Sequence, residues 1–334
     1  MTAVPRRSLR LAATAVVALA AAGLAGCSSE SVTPGNSHVV AYAAVGSNAT
    51  NPGDTVAVVA NVSGKVGRPV TVGTLPSALA LVPGASDLLV TIKAQNELVD
   101  VATATGKVVG RVGVGLEPDA VVVTPDGKTA LVANFGDNTV TEVHLPRLSV
   151  GRTVHVGGQP VSIALTPDGH QALIANYEDG TLTPVTLPSL TSGAPIPVGA
   201  GPVAVSVLSA AEALVADFQT SNLTPVALPS LVPLHSIPLG ANPTGVASGP
   251  GGAVAWVSAG YGITPVSAVG GLVGKAIPLG GPAECIAVTR HGQAWVCSGN
   301  GVMVQVDLSS GRVLRRVAVG GIPADAVVTD TINS

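Results

Sequence analysis

Three pairs of residues, each an amide or a carboxylate followed by an aromatic ring, recur at similar intervals in the middle of the chain. The pairs are Asn134-Phe135, Asn176-Tyr177 and Asp217-Phe218, and their rings are three of only seven in the sequence. Acidic residues lie near them in the sequence: Glu117, Asp119, Asp137 and Glu178. Rings beside carboxylates favour a cationic or sugar-like ligand. The alternative is that the rings pack between repeating units while the amides bond local backbone groups, and both interpretations stay open.

The same carboxylates supply the hard oxygen ligands that divalent cations prefer, but no loop shows the spacing of a known calcium site. We therefore expect neither a metal nor another cofactor. The sequence contains no Gly-x-Ser-x-Gly, phosphate-loop or dinucleotide-binding motif. General acid–base chemistry needs titratable groups gathered at one place. Because the six histidines fall in turns or in and beside strands, away from the carboxylates, catalysis is the weaker interpretation.

Two of the three cysteines, Cys285 and Cys297, flank a turn over residues 290–292. A three-residue loop would place them directly opposite each other on neighbouring strands, whereas other loop lengths shift them by one residue. Opposed Cα atoms lie about 4.5–5.5 Å apart, a separation that a disulfide can bridge. An exported protein would permit the bond. The alternative is two buried thiols.

The first 26 residues are typical of an export signal. A basic segment at 6–10 precedes an apolar stretch at 11–24, so we exclude residues 1–26 from the fold as a signal peptide. The adjacent arginines look like a twin-arginine signal, but a general-secretion signal with two arginines fits as well. The export route therefore stays open.

The segment Leu24-Ala25-Gly26-Cys27 resembles the lipobox of bacterial lipoproteins at every position. In that family the chain is cut before the cysteine, which is then acylated. The resemblance implies a lipid on Cys27, a lipidated tether over 27–37 and a location at the extracytoplasmic face of the cell membrane. The alternative is an ordinary signal peptide with a chance cysteine. A membrane helix needs about 20 uninterrupted apolar residues, and no later segment of the sequence is that long.

A repeat of about 42 residues organises the rest of the chain. Its marker, an apolar residue followed by Gly-x-x-Pro, recurs with proline at positions 76, 118, 160, 202, 243, 282 and 323. Each complete unit offers four short apolar runs separated by turn signals such as Pro-Asp-Gly; in the second unit they are 119–124, 129–134, 139–145 and 152–156. Four strands per unit of this length predict a blade of a β-propeller. The rival is a parallel solenoid.

The two ends of the repeat array decide between these folds. Residues 38–73 supply three strands, and residues 323–330 supply one. Together they complete a blade, so six whole blades and this composite predict a closed, all-β, seven-bladed β-propeller over 38–334, with four antiparallel strands per blade. Closure leaves neither end of the array with an exposed sheet edge, whereas a solenoid would need caps.

The repeat resembles the YVTN-repeat β-propeller family. Residues 131–143 (LVANFGDNTVTEV) and 173–185 (LIANYEDGTLTPV) carry the family's pattern of second strand, loop and third strand. The match is weaker in the three units that begin at Pro202, Pro243 and Pro282, where the Pro-Asp turn is lost. The resemblance implies a binding or scaffold propeller outside the cell and no single activity, since fold does not fix function.

We label the strands of a blade A to D, so that D–A and B–C loops form one rim and A–B and C–D turns form the other. We name the first the acidic rim, because it carries one cation, Lys93, among ten carboxylates: Asp54, Glu97, Glu117, Asp119, Asp137, Glu178, Asp179, Asp217, Glu284 and Asp325. We expect the opposite rim to be predominantly basic and to face anionic lipid or wall polymer. An acidic ligand rim would repel phosphates, which argues against nucleic acid.

The sequence thus predicts a monomeric, non-catalytic propeller that binds a small molecule or a protein at its acidic rim and is held to the membrane by a lipid. The alternative is a propeller hydrolase or lyase, lactonase-like, that uses the rim carboxylates with a divalent metal. The identity of the ligand is not encoded in any motif.

Overall fold

The chain forms short β-strands almost throughout. A computed structural model describes residues 40–46, 53–60, 63–84, 86–268 and 270–329. The predicted signal peptide (1–26), the tether (27–37) and Cys27 lie outside the described residues. Within the described residues, no helix has the length and apolar character to cross a membrane.

The strands are numbered in chain order. The first sixteen are β1 (Val40–Gly46), β2 (Thr55–Ala60), β3 (Val70–Thr71), β4 (Pro76–Leu81), β5 (Asp87–Ile92), β6 (Glu97–Ala102), β7 (Lys107–Gly113), β8 (Pro118–Val123), β9 (Thr129–Asn134), β10 (Thr139–His144), β11 (Ser149–His155), β12 (Pro160–Leu165), β13 (Gln171–Asn176), β14 (Thr181–Thr186), β15 (Thr191–Ser192) and β16 (Ile196–Pro197). The others are β17 (Pro202–Ser209), β18 (Glu212–Asp217), β19 (Asn222–Ala227), β20 (Val232–Pro233), β21 (Ile237–Pro238), β22 (Pro243–Ser248), β23 (Val254–Ala259), β24 (Gly262–Ser267), β25 (Ile277–Pro278), β26 (Ala283–Val288), β27 (Gln293–Ser298), β28 (Val302–Asp307), β29 (Arg312–Ala318) and β30 (Ile322–Val328). A short 3₁₀ turn, Pro250–Gly252, joins β22 to β23.

These strands form seven antiparallel sheets arranged as blades around one axis, which confirms the predicted β-propeller. Blade 1 is built from β4 to β7, and blades 2 to 6 follow in chain order. The A strands line the central channel, each one next to the A strand of the neighbouring blade. Strand B is mostly buried on both faces because each blade is covered by a neighbour on each side, and strand C also buries polar side chains such as Glu142 and Gln305.

Blade 7 confirms the predicted closure. Its strand order is β3-β2-β1-β30, so the C-terminal strand β30 becomes the inner strand beside three strands from the N-terminal part. The pairing is antiparallel and runs from Ala41 opposite Val328 to Gly46 opposite Ile322. Strand β30 also contacts β26 of blade 6 and β4 of blade 1. The ring is therefore closed by hydrogen bonds between the two ends of the chain.

The hydrophobic core is divided among the seams between blades. Seven clusters of buried side chains occur in the described residues, and each joins two neighbouring blades. Val140 of blade 2 and Ile174 of blade 3 belong to one cluster, whereas Ala41 of blade 7 and Trp295 of blade 6 belong to another. Small Ala and Val side chains let the sheets approach closely near the axis.

The outer strands are less regular than the sequence predicts. In blade 3 the D strand is split into β15 and β16, and in blade 4 into β20 and β21. Prolines interrupt these strands, since a proline lacks the N–H that a sheet ladder needs and is tolerated at an outer edge. In blade 2 the D strand is instead longer than predicted and begins at Ser149.

Candidate functional site

The residues predicted to bind a ligand lie where D–A and B–C loops meet, on the acidic rim. Asn134 and Asn176, which end strand B of blades 2 and 3, are fully buried. The amide nitrogen of Asn134 donates to Thr139 Oγ1 and Thr141 Oγ1, both at 2.9 Å, and its oxygen accepts from the Gly115 backbone N–H at 3.1 Å. These bonds use the amide inside the blade, so Asn134 has no free group for a ligand.

Asn176 occupies the same place in blade 3. Its amide nitrogen donates to Thr181 Oγ1 at 3.0 Å and Thr183 Oγ1 at 2.9 Å. A Cβ on the facing Gly157 would lie 2.6 Å from the Asn176 Cγ, a distance that real contacts do not reach. The Gly of the repeat is therefore required by the close approach of the D–A loop to this amide.

Asp217 is the blade 4 counterpart of these asparagines and is also fully buried. Its Oδ2 accepts a hydrogen bond of 2.6 Å from Thr224 Oγ1, while its Oδ1 has no partner among the described residues. Burial raises the pKa of Asp217 to about 7, although hydrogen bonds from Thr224 and the Gly199 backbone oppose the rise. Asp217 thus fills an amide position with a carboxyl group.

Two more carboxylates of the acidic rim fasten loops together. Asp137 Oδ2 accepts from the Leu116 backbone N–H at 2.5 Å, and Asp179 Oδ2 accepts from the Gly158 backbone N–H at 2.6 Å. Each bond ties a B–C loop to the preceding D–A loop of the ring. Glu178 is exposed next to them.

The three rings lie at the same rim and are half-buried. Tyr177 and Phe218 pack against the cluster that joins blades 4 and 5. The Tyr177 hydroxyl accepts a 3.1 Å hydrogen bond from Gln219 Nε2. Packing between blades, the alternative for these rings, is therefore seen for Tyr177 and Phe218, and all three rings stay partly exposed.

Blade 1 departs from this pattern, because Lys93 stands where blades 2 to 4 have a ring. Its Nζ lies 3.2 Å from Asp119 Oδ1 and 3.8 Å from Glu117 Oε2. The same Nζ lies 4.4 Å from the centre of the Phe135 ring, within the range of a cation–π contact. We name Lys93, Glu117, Asp119 and Phe135 the Lys93 cluster.

The Lys93 cluster combines a buried charge with exposed ones. The Asp119 side chain is 5% exposed, whereas Lys93 is 28% and Glu117 is 53% exposed. Burial raises the pKa of Asp119, and the Lys93 ammonium opposes that rise. The sequence predicts Lys93 only as the single cation of the acidic rim, although its departure from the repeat distinguishes it from the matching residues of blades 2 to 4.

Asp325, on the inner strand of blade 7, has a structural role. Its Oδ2 accepts a 2.9 Å hydrogen bond from the Leu79 backbone N–H, which joins blade 7 to blade 1. Ser162 Oγ accepts from Val205 N–H at 3.0 Å at the matching place between blades 3 and 4. Burial raises the pKa of Asp325 well above its usual value.

A cavity of about 360 Å³ lies between blades 1 and 2, beside the D–A loop that contains Gly115. Its polar lining includes Asp137, Thr139, Thr153 and His155. From the sequence, His155 is expected in or beside a strand and away from the carboxylates. The structure puts it at the end of β11, so that His155 and Asp137 share one cavity.

Cys285 and Cys297 are directly opposite each other on β26 and β27, as a three-residue loop requires. Their Cα atoms are 4.9 Å apart, and a disulfide joins them in the structure. Both are fully buried beside strands of blade 7. Over the described ranges, no group of three His, Cys, Asp or Glu side chains is placed to hold a metal ion.

The opposite rim carries charges of both signs. Lys128 and Arg290 are exposed in its A–B turns, but so are Asp126 and Asp168 of the Pro-Asp-Gly turns. The rim predicted to be basic is therefore mixed, because the Pro-Asp-Gly turns bring carboxylates to the same rim as the cations. In addition, Arg111 of strand D lies near the acidic rim and pairs with Glu97 at 3.1 Å.

Solved structures share this architecture, whereas no family model and no curated protein matches the chain. Hydrazine synthase of Kuenenia stuttgartiensis aligns with a TM-score of 0.68 and 17% identity over 89% of this chain and 100% of that chain. A functionally unknown protein of Desulfotomaculum acetoxidans DSM 771 aligns with a TM-score of 0.76 and 14% identity over 88% and 100%. The dihydro-heme d1 dehydrogenase NirN, in complex with DHE, aligns with 0.65 and 13% over 90% and 77%. These likenesses show the propeller fold.

Proposed function

We propose that this chain is a non-catalytic ligand-binding propeller, displayed at the extracytoplasmic face of the cell membrane by a lipid on Cys27. The Lys93 cluster is the observation that carries the binding part. A lysine in the place of a ring, with a buried carboxylate beneath it, is costly for the fold unless the charges are used. The cluster lies at the acidic rim, where the B–C loop of blade 1 meets the start of the inner strand and the B–C loop of blade 2.

The chemistry of the rim fits a small hydroxylated ligand such as a sugar. Lys93 supplies a donor and Glu117 an acceptor, and both are partly exposed. The half-buried ring of Phe135 offers an apolar surface beside Lys93. Polar groups that converge next to apolar rings are the usual composition of a small-molecule site.

A calorimetric titration with N-acetylglucosamine tests the sugar class, and spermidine tests the cationic class. We expect Glu117→Gln to weaken sugar binding about tenfold, a typical loss for one charged hydrogen bond. A glutamine at position 117 is compatible with the backbone there, because Gln159 occupies the matching position of blade 3 with a similar positive φ. Glu97→Gln is the matched control, since it removes a carboxylate of the same rim that pairs with Arg111 rather than with Lys93. Equal effects of the two variants would contradict the site.

The proposed membrane anchoring rests on the lipobox-like residues 24–27 and on the position of the first strand in the propeller. Strand β1 starts at the opposite rim, next to the end of β30. A tether attached there directs that rim to the bilayer and the acidic rim outwards. Labelled palmitate should enter the wild-type protein and not Cys27→Ala, and only the wild type should pellet with membranes. Membership of the YVTN-repeat family and a monomeric state form part of this proposal.

The second candidate function is that of a hydrolase or lyase, and one observation supports it. Asp119 is buried, has a raised pKa and touches a lysine, which resembles the setting of an acid–base pair. Hydrolysis of a γ-lactone probe, abolished in Asp119→Asn and unchanged in Glu97→Gln, would favour it over binding alone.

A further inference from the structure

A second cavity, of about 470 Å³, lies at the other end of the central channel. It is lined by residues from the C-terminal halves of the A strands of blades 1 to 5 and by the prolines of three A–B turns. Its wall includes Leu81, Val123, Leu165 and Val207, and no charged side chain belongs to its lining. The volume falls within the usual range of small-molecule pockets, about 300–1,000 Å³.

The few hydroxyl groups in this wall are mostly occupied. Thr166 Oγ1 donates to Asp168 Oδ1 at 2.6 Å, and Ser248 Oγ donates to the Gly249 carbonyl at 3.2 Å. Ser206 makes no side-chain hydrogen bond to another described residue, so it offers one polar contact in an otherwise aliphatic surface. Such a wall selects hydrocarbon and excludes charged groups, because a charge placed there would lose its hydration.

The two ends of the channel therefore differ in chemistry. The acidic-rim end holds the Lys93 cluster and the buried carboxylate of Asp325, whereas the opposite end is aliphatic. Strands of six residues separate the two ends by about 20 Å. Ligands of opposite character would thus meet different ends of one channel.

The position of the N-terminal part indicates what reaches the aliphatic end. Strand β1 starts at Val40 on the same rim as the cavity, beside the end of the channel-lining strand β30. Cys27 precedes Val40 by thirteen residues, which span at most about 45 Å when extended. A lipid on Cys27 would hold this rim, and the mouth of the cavity, near the bilayer surface.

We propose that the aliphatic end of the channel binds an acyl chain of a membrane phospholipid. The inference rests on the proposed anchoring, which brings the cavity to the bilayer, and it assigns to the propeller a second, lipid-binding site. Ser206 lies where it can meet a polar group at the end of the hydrocarbon. No bond is made or broken in this binding.

The test is calorimetry with dioctanoylphosphatidylcholine below its micelle concentration, on the exported protein in lipidated and Cys27→Ser forms. We expect saturable binding with a negative heat-capacity change, the mark of apolar burial. Ser206→Phe fills the cavity and should weaken binding at least about tenfold, and Val207→Thr should weaken it several-fold without a change of volume. Ser230→Phe, at an exposed turn of the same blade, should leave binding unchanged.

Several results would overturn the assignment. They are no heat with the wild type, equal binding by a folded Ser206→Phe, an equal loss in Ser230→Phe, or equal binding of phosphocholine alone. If Cys27→Ser binds the phospholipid and the lipidated form does not, the acyl group on Cys27 itself occupies the cavity. Because the probe is soluble, a failure of anchoring, seen as unlabelled Cys27, leaves the calorimetric result readable.

Discussion

Replacement of Asp217 by asparagine should stabilise the propeller, and the gain should depend on pH. The wild-type carboxyl occupies a position that blades 2 and 3 give to Asn134 and Asn176. An amide at 217 can donate to Thr224 Oγ1 and accept from the Gly199 N–H without carrying charge. In the wild type, the buried Oδ1 of Asp217 has no partner among the described residues.

The magnitude follows from the pKa of Asp217, which burial raises from 3.8 to about 7. The shift is about three units, and each unit corresponds to 1.36 kcal/mol, so the charged form costs about 4 kcal/mol at high pH. A carboxyl with a raised folded-state pKa contributes stability below its unfolded pKa, and this is lost as pH rises through the folded pKa. The advantage of Asp217→Asn should therefore grow by about 2–3 kcal/mol between pH 5 and pH 8.

Urea unfolding of both proteins at pH 5, 6, 7 and 8 measures this difference. The change with pH is the diagnostic quantity, because constant effects of the substitution cancel. Asn176→Asp is the mirror control and should introduce a similar pH-dependent loss in blade 3. If the wild type and Asp217→Asn keep a constant difference from pH 5 to 8, Asp217 does not carry a raised pKa and the reasoning is refuted.

Three further predictions concern closure, the disulfide and the Lys93 cluster. Removal of 322–334 takes away β30, so we expect loss of cooperative unfolding and binding of a hydrophobic dye. Cys285→Ala/Cys297→Ala should lower the free energy of unfolding by about 3 kcal/mol in oxidising buffer, and alkylation should add mass to these cysteines in the wild type only after reduction. Lys93→Met should destabilise the protein more at pH 8 than at pH 5, since the ionised Asp119 then lacks its cation.

Each of these has a direct control. Removal of 330–334 alone should leave unfolding unchanged, since β30 ends at Val328. Alkylation of the cysteines without reductant would contradict the disulfide, and equal losses at pH 5 and pH 8 would contradict the role of Lys93. An intact, cooperative protein without 322–334 would contradict ring closure.

The fold could be predicted because it depends on features that repeat. A proline at nearly constant spacing and four apolar runs per unit define a blade, and a lone strand at 323–330 reveals the closure. The split D strands were not predicted. Strand D is the outermost strand of its blade and has no partner strand on its outer side, so the sheet tolerates prolines that interrupt it. Repetition supplied many independent copies of one signal.

The candidate site was less predictable for the same reason. Asn134, Asn176 and Asp137 belong to a pattern that holds the loops of blades 2 and 3 together, and its recurrence made them conspicuous as ligand candidates. The Lys93 cluster depends on contacts between two blades that sequence spacing does not encode. Residues that break a repeat, such as Lys93 and Asp119, were the better guide to chemistry.

The pairing of β1 with β30 has a consequence for synthesis of the chain. The first three strands leave the ribosome long before their partner exists, so an apolar sheet edge stays unsatisfied while six blades are translated. An unpaired edge of this kind invites association with other chains. Blade 7, and with it the closed ring, can therefore form only after the last strand of the chain has been made.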